Sequence, residues 1–182
     1  MAFVHTHDLF VPSNQLTVQK GDVYNAGDVE RALRGSDAVV SCLGSWGTPQ
    51  KNVLSAAMKA IIPAMRTQKI RRIVTLTGSG AIAPDIESGA GHVFMMRLLA
   101  PFPAGKVFRD GEEHMRLLAT SELSWTTLRS PVMTNLGGTG YRLSLKAGLP
   151  TATIKRQAVV NAMLDQLESD EFVGQAPIIH RV

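Results

Sequence analysis

The chain has 182 residues, 45% apolar and 19% charged, the profile of one soluble globular domain large enough to bury a core. Its net charge of +4 suits acidic ligands, but nucleic-acid binding needs basic side chains gathered on one face. A single cysteine excludes an internal disulfide, and with no signal-peptide pattern at the N-terminus the expected compartment is the cytoplasm.

Ala2 to His5 reads as a short strand and Leu16 to Gln19 as a second, separated by a polar turn around Pro12, Ser13 and Asn14. Asn25 or Asp28 starts a helix whose Val29, Ala32 and Leu33 share one face, and Gly35 stops it. The apolar run from Ala38 to Leu43 is expected to be a strand buried on both faces. Within it, Cys42 reads as a buried small apolar residue and not as a nucleophile.

Leu54, Ala57, Met58, Ile61 and Met65 keep helical spacing between about Gln50 and Gln68, and Pro63 is expected to kink or split that helix. The basic group Lys69, Arg71 and Arg72 falls at the junction with the next strand, where cations complement the helix dipole. That strand, Arg72 to Thr77, runs into Gly78, Ser79 and Gly80.

Ala81 to Lys106 is irregular and suits a substrate loop or lid. Inside it the apolar stretch from His92 to Phe102 is broken by Arg97 and Pro101, so it is too short to span a bilayer and no membrane partner is expected. Its Met95, Met96, Leu98 and Leu99 read as core residues, with a lid or partner surface as alternatives.

A helix over Glu112 to Thr120 buries Met115 and Leu118, and a strand from Ser124 to Arg129 ends at Pro131. Val159, Met163, Leu164 and Leu167 form the apolar face of a last helix. Pro177 to Arg181 closes as a strand, its leading proline suited to a sheet edge. Strands alternating with helices predict an α/β fold, a parallel sheet with helices on both faces, in one domain spanning 1–182.

Several segments follow one another in a telling order: GDV with DVERALRGSDAVVSCLG, IRRIVTLTGSGA, ELSWTTLRSPVMTN, and the tail YRLSLKAGLP through VVNAMLDQLESDEFVGQAPIIHR. Together they resemble the atypical short-chain dehydrogenase/reductases, NAD(P)H-binding proteins of the NmrA and flavin-reductase type. The resemblance implies a Rossmann-like fold and begins at about the family's second strand. The fold is therefore expected to be N-terminally shortened, because only twenty residues, none of them glycine, precede Gly21. The first strand and the glycine-rich turn, whose backbone N–H groups hold a pyrophosphate, have no counterpart. In doubly wound order the absent strand lies between the strand ending near His5 and the strand from Ala38 to Leu43. Those neighbours either keep open edges, for which a homodimer is one expected cover, or close up and pair directly.

Carried over residue by residue, the resemblance implies NADP or NAD as cofactor. His5 stands where the family presents an arginine to the 2′-phosphate, and it is a weaker, pH-dependent cation. Asp22 and Val23 match the pair beside the adenine, and Leu43, Gly44 and Ser45 the loop along the ribose and phosphates. Thr77, Gly78 and Ser79 match the strand end facing the nicotinamide, with Ser79 as the catalytic candidate. Ser130 and Pro131 match the turn lining that pocket. All are at carboxyl ends of strands, where open α/β sheets bind ligands.

The residues by themselves leave other roles open. Asp22 after a glycine also suits a turn cap, and Gly44, Gly78 and Ser79 also suit plain turns. His92 and His114 read as surface groups, with a catalytic role as the alternative. His5 and His7 share a strand face without a third ligand, so no metal is expected. The tyrosine–lysine dyad of typical short-chain dehydrogenases is absent: Tyr24 and Tyr141 are followed four residues later by Asp28 and Leu145. The resemblance implies hydride transfer to a small acceptor such as a flavin or quinone, with orientation supplying most of the rate and solvent or Ser79 the proton. A nucleotide-sensing regulator and a chain unable to hold the dinucleotide are the alternatives.

Overall fold

The computed structural model describes residues 1–5, 13–83, 94, 98, 101–146 and 152–182. Expectations resting on His7, Pro12, His92, Met95, Met96 and Leu99 fall outside them. A main sheet has the order β3-β4-β5-β9-β7, formed by β3 (Ala38–Ser41), β4 (Arg72–Gly78), β5 (Ser124–Ser130), β9 (Ile178–Arg181) and β7 (Tyr141–Ser144). Its first four strands are parallel, and β7 runs antiparallel to β9. Two parallel pairs stand apart from it: β1 (Ala2–Val4) with β2 (Val18–Lys20), and β6 (Val132–Thr134) with β8 (Thr153–Lys155). This is a Rossmann-like α/β arrangement.

Alternation along β4 and β5 builds two cores. Val39, Ile73 and Trp125 point to one face, where α1 (Ala26–Leu33), α2 (Val53–Thr67) and α3 (Pro103–Ala119) lay down Val29, Leu33, Met58, Met65, Met115 and Leu118. Val74, Leu76 and Leu128 point to the other, under Ala158, Val159, Ala162 and Met163 of α4 (Arg156–Glu168). The period of two along each strand against 3.6 along each helix is what sorts these residues. Asn25 starts α1, its side chain accepting from the N–H groups of Gly27 and Asp28.

The structure departs from these expectations at several elements. The second strand begins two residues later, at Val18. α2 runs unbroken through Pro63. α3 starts at Pro103, within the stretch expected to be irregular, because proline at the first helical position sacrifices an N–H that would have no intrahelical partner. On α4, Leu164 is exposed and Gln166 is buried in its stead. β9 is interior, flanked by β5 and β7; Pro177 precedes its first paired residue and serves as an acceptor for the Arg129 N–H.

β3 departs furthest. Val40 is 40% exposed and Cys42 is exposed, so this strand is not buried on both faces. Cys42 Sγ lies 3.7 Å from Met163 Sδ, and loss of water around the sulfur pushes the thiol pKa up. Among the described residues β1 pairs only with β2 and β3 only with β4. The closed-up alternative is therefore not what forms.

Of the basic junction, Lys69 and Arg71 are exposed and Arg72 is structural. Arg72 turns inward to the carbonyls of Ser124, Gln166 and Ser169 and to Thr126 Oγ1.

Candidate functional site

The carboxyl ends of β4 and β5 lie side by side, with Gly78 registered against Ser130. They are tied beyond the ladder by the Ser79 N–H, which donates to the Ser130 carbonyl at 2.8 Å. Thr77 and Ser130 are buried, and the Ser130 hydroxyl donates to the Pro131 carbonyl at 2.9 Å. Ser79 is half-buried, and no partner is found for its hydroxyl among the described residues. The structure thus brings Thr77, Gly78, Ser79, Ser130 and Pro131 together.

Helix α3 presses onto this corner through missing side chains. A Cβ on Gly111 would lie 2.3 Å from Thr77 Oγ1, and one on Gly80 would lie 2.4 Å from Phe108 Cε1. Gly111 lets the helix sit this close, and at Gly80 any side chain would displace the Phe108 ring. The approach carries Asp110, 5% exposed, to the start of α2. There its carboxylate accepts from Leu54 N and Ser55 N at 2.9 Å, from Ser55 Oγ at 2.6 Å and from Ser45 Oγ at 2.7 Å.

Asn52, at the N-cap of α2, makes no side-chain cap bond of its own, so Asp110 caps that helix from another element. Sequence reasoning missed this residue. An isolated aspartate in mid-helix carries no local signal, since the amides it satisfies belong to residues more than fifty positions away.

Ser45 is fully buried because its hydroxyl serves Asp110. Its neighbours differ: Leu43 packs half-buried against the core, and Gly44 is exposed with no atom within 4 Å of a notional Cβ. At the ends of β1 and β2, His5 is exposed with Nδ1 3.3 Å from the Gly21 carbonyl. Asp22 Oδ1 accepts the Tyr24 N–H at 2.9 Å, the geometry of the turn-cap alternative, and its own N–H donates to Asp28 Oδ2. Val23 is half-buried against the core that holds Val29 and Leu33. Tyr24 O–H reaches Asn52 Oδ1 at 3.1 Å, which brings this edge to the start of α2.

His114 corrects another expectation: it is fully buried, not a surface group. Neither ring nitrogen has a hydrogen-bond partner among the described residues, and burial lowers its pKa to about 4, opposed by the nearby Asp110 charge. Arg129, also buried, donates to the carbonyls of Ala176 and Ala81, and desolvation lowers its pKa to about 10. Tyr141 is remote from this corner, on β7 beside α4; burial and the hydrogen bond to Asp165 push its phenol up to about 12. Among the described residues no group of three or more metal-ligating side chains converges, and no helix is long and apolar enough to cross a membrane.

Comparison with known proteins agrees with this architecture. A short-chain dehydrogenase/reductase from Veillonella parvula, solved in complex with NADP, superposes with a TM-score of 0.71 at 22% identity, covering 98% of this chain and 81% of that one. ChuY from Escherichia coli O157:H7, described as an anaerobillin reductase, gives 0.70 at 20% identity over 90% of this chain and 74% of its own. The oxidoreductase ylbE from Lactococcus lactis gives 0.72 at 18% identity, with 99% and 79% covered. At these identities the likeness is one of fold. The family follows from the sequence profile of NAD(P)H-binding domains, which matches residues 4–170: this chain belongs to that NAD(P)H-binding family.

Proposed function

We propose that the chain is an NAD(P)H-dependent reductase of a small conjugated acceptor, a flavin or a quinone. The observation that carries this reading is the tied corner of β4 and β5, where Ser79 stands between Thr77–Gly78 and Ser130–Pro131 with its hydroxyl uncommitted among the described residues. In the proposed arrangement Thr77, Gly78, Ser130 and Pro131 hold the nicotinamide. Leu43 and Gly44 stand along the ribose and phosphates, on a loop that the buried Ser45 anchors to Asp110, and His5, Asp22 and Val23 stand at the adenosine. The cofactor, when bound, supplies the hydride.

The chain's own contribution is orientation at a rigid corner, with the Ser79 hydroxyl handing a proton from solvent to the acceptor. Neither tyrosine is a proton donor to this corner, since Tyr24 O–H is given to Asn52 and Tyr141 O–H to Asp165. The described residues suit the two nucleoside ends of the dinucleotide better than its middle. The first amides of α1 are taken by Asn25, and those of α2 by Asp110.

That commitment favours a second reading, in which the chain by itself holds no dinucleotide. Titration of NADPH and NADH, followed by riboflavin and menadione reduction assays, separates the two. Micromolar binding with turnover supports the reductase, and turnover lost in Ser79→Ala with binding retained supports the proton role. Binding without turnover supports the nucleotide-sensing alternative, and no binding supports the second reading.

A further inference from the structure

Trp46 is 62% exposed, yet the loop that carries it is pinned on both sides. Just before it, the Ser45 hydroxyl is held by Asp110. The Ser45 carbonyl accepts from Thr48 Oγ1 at 3.0 Å and from Lys51 Nζ at 3.3 Å. The backbone on either side of the exposed indole is thus held by these bonds. Its aromatic neighbour is Phe108 of α3, at a centroid distance of 6.4 Å with the planes 77° apart. An edge-to-face contact of this kind occupies at most one face of the indole.

Phe108 in turn overhangs the turn after β4: its ring meets the positions where Gly78 and Gly80 would carry side chains, and Ser79 lies between those two glycines. The pair therefore stands at the carboxyl edge, between the ends of β3 and β4 and beside the serine. A flat π-system is the ligand chemistry that such a surface rewards, because stacking needs an exposed, immobile aromatic face and no matching pattern of donors.

We propose that Trp46, backed by Phe108, is the platform on which the flat conjugated ring of the hydride acceptor stacks. This rests on the reductase reading and gives its acceptor site a position. The nicotinamide and adenine of the cofactor are also flat rings, so the test must distinguish the two sources.

Riboflavin, which carries the ring without a phosphate, is titrated into the chain and into W46F and W46A, without NADPH. Tryptophan and flavin emission are followed. The only other tryptophan, Trp125, is 5% exposed, so a quenched signal that vanishes in W46F reports on Trp46.

The expected result is quenching in the parent chain, a loss of riboflavin affinity of about tenfold in W46A, and a smaller loss in W46F, which keeps a ring. The NADPH dissociation constant, measured by equilibrium dialysis, stays the same in all three. Equal riboflavin affinity in all three chains overturns the proposal, as does no riboflavin binding by the parent chain. Weakened NADPH affinity with riboflavin unchanged also overturns it, assigning Trp46 to the cofactor's own base. No hydride transfer is read, so failure of the reductase reading shows in turnover and failure of the platform shows here.

Discussion

Val40 of β3 and Val74 of β4 are register partners on the same face of one sheet, yet Val74 is fully buried under α4 while Val40 is 40% exposed. The contrast extends to the regions around them. β4 and β5 pair over seven residues each, and α3 is drawn against them by glycine contacts and a buried carboxylate network. β1 and β2 form a pair of three-residue strands, and among the described residues no strand pairs with both β1 and β3. A sheet gains cooperativity where each strand has a neighbour on both sides and a helix on both faces. In this chain the corner proposed to receive nicotinamide has that support, and the edge proposed to receive adenosine does not.

The largest test of the comparison is Asp110→Ala. Removal leaves two buried amides of α2 and the Ser45 hydroxyl without their acceptor, while the Ser55 hydroxyl keeps only the longer bond to the Asn52 carbonyl; hydrogen bonds to a charged group are worth about 1.5–3 kcal/mol each. Non-additivity brings the expected loss to about 4 kcal/mol in urea unfolding. Asp28 is the counterpart on the weaker side, accepting the Asp22 N–H and pairing with Arg31 near the surface. Asp28→Ala is expected to cost about 1 kcal/mol. Similar losses at the two positions would dissolve the distinction between the regions.

Next in size is an acid effect. His114 is neutral in the folded chain down to about pH 4, whereas an unfolded histidine takes its proton near 6.5. Between those values the unfolded state binds more protons. Stability is therefore fully present above about pH 6.5 and falls as the pH drops toward 4, by about 3 kcal/mol from this group alone. Asp110, one turn earlier on α3, opposes that loss without cancelling it. In His114→Leu no hydrogen bond to a described residue is lost, because neither ring nitrogen has a partner among them. The variant is expected to match the parent at pH 7 and exceed it by about 3 kcal/mol at pH 4, measured by urea unfolding at both. A constant difference across that range would remove the buried histidine from the acid response.

These two residues also mark what the sequence leaves unsaid. The periodic elements were legible: Val29 and Leu33 on α1 and Met58 and Met65 on α2 lie where their spacing put them, and Arg72 to Thr77 forms the strand expected there. So was the turn after β4, because glycines follow a β-branched run. Asp110 and His114 were not legible, since their environment is made by α2 and the loop after β3, distant in sequence. His114 was expected at the surface by residue type, and the packing of α3 into the fold reverses that. Cys42 and Val40 failed for the opposite reason. Their apolar run specifies a strand between two covered faces, while the cover on one face is a tertiary matter that the run does not contain.

The smallest effect returns to the paired valines. Val74→Thr places a hydroxyl in an apolar core, for which mutational data give about 1–3 kcal/mol when no partner is found. Val40→Thr keeps the branched shape that suits a strand and puts the hydroxyl where water reaches it, so a change within about 0.5 kcal/mol is expected. Both are read by urea unfolding at two protein concentrations. If Val40→Thr costs as much as Val74→Thr, and only at the higher concentration, the outer face of β3 is covered by a second copy of the chain. If the cost is equal at both, something within the chain covers it. A small cost at both concentrations leaves Val40 facing water and keeps the two halves of the sheet as unequal as their burial.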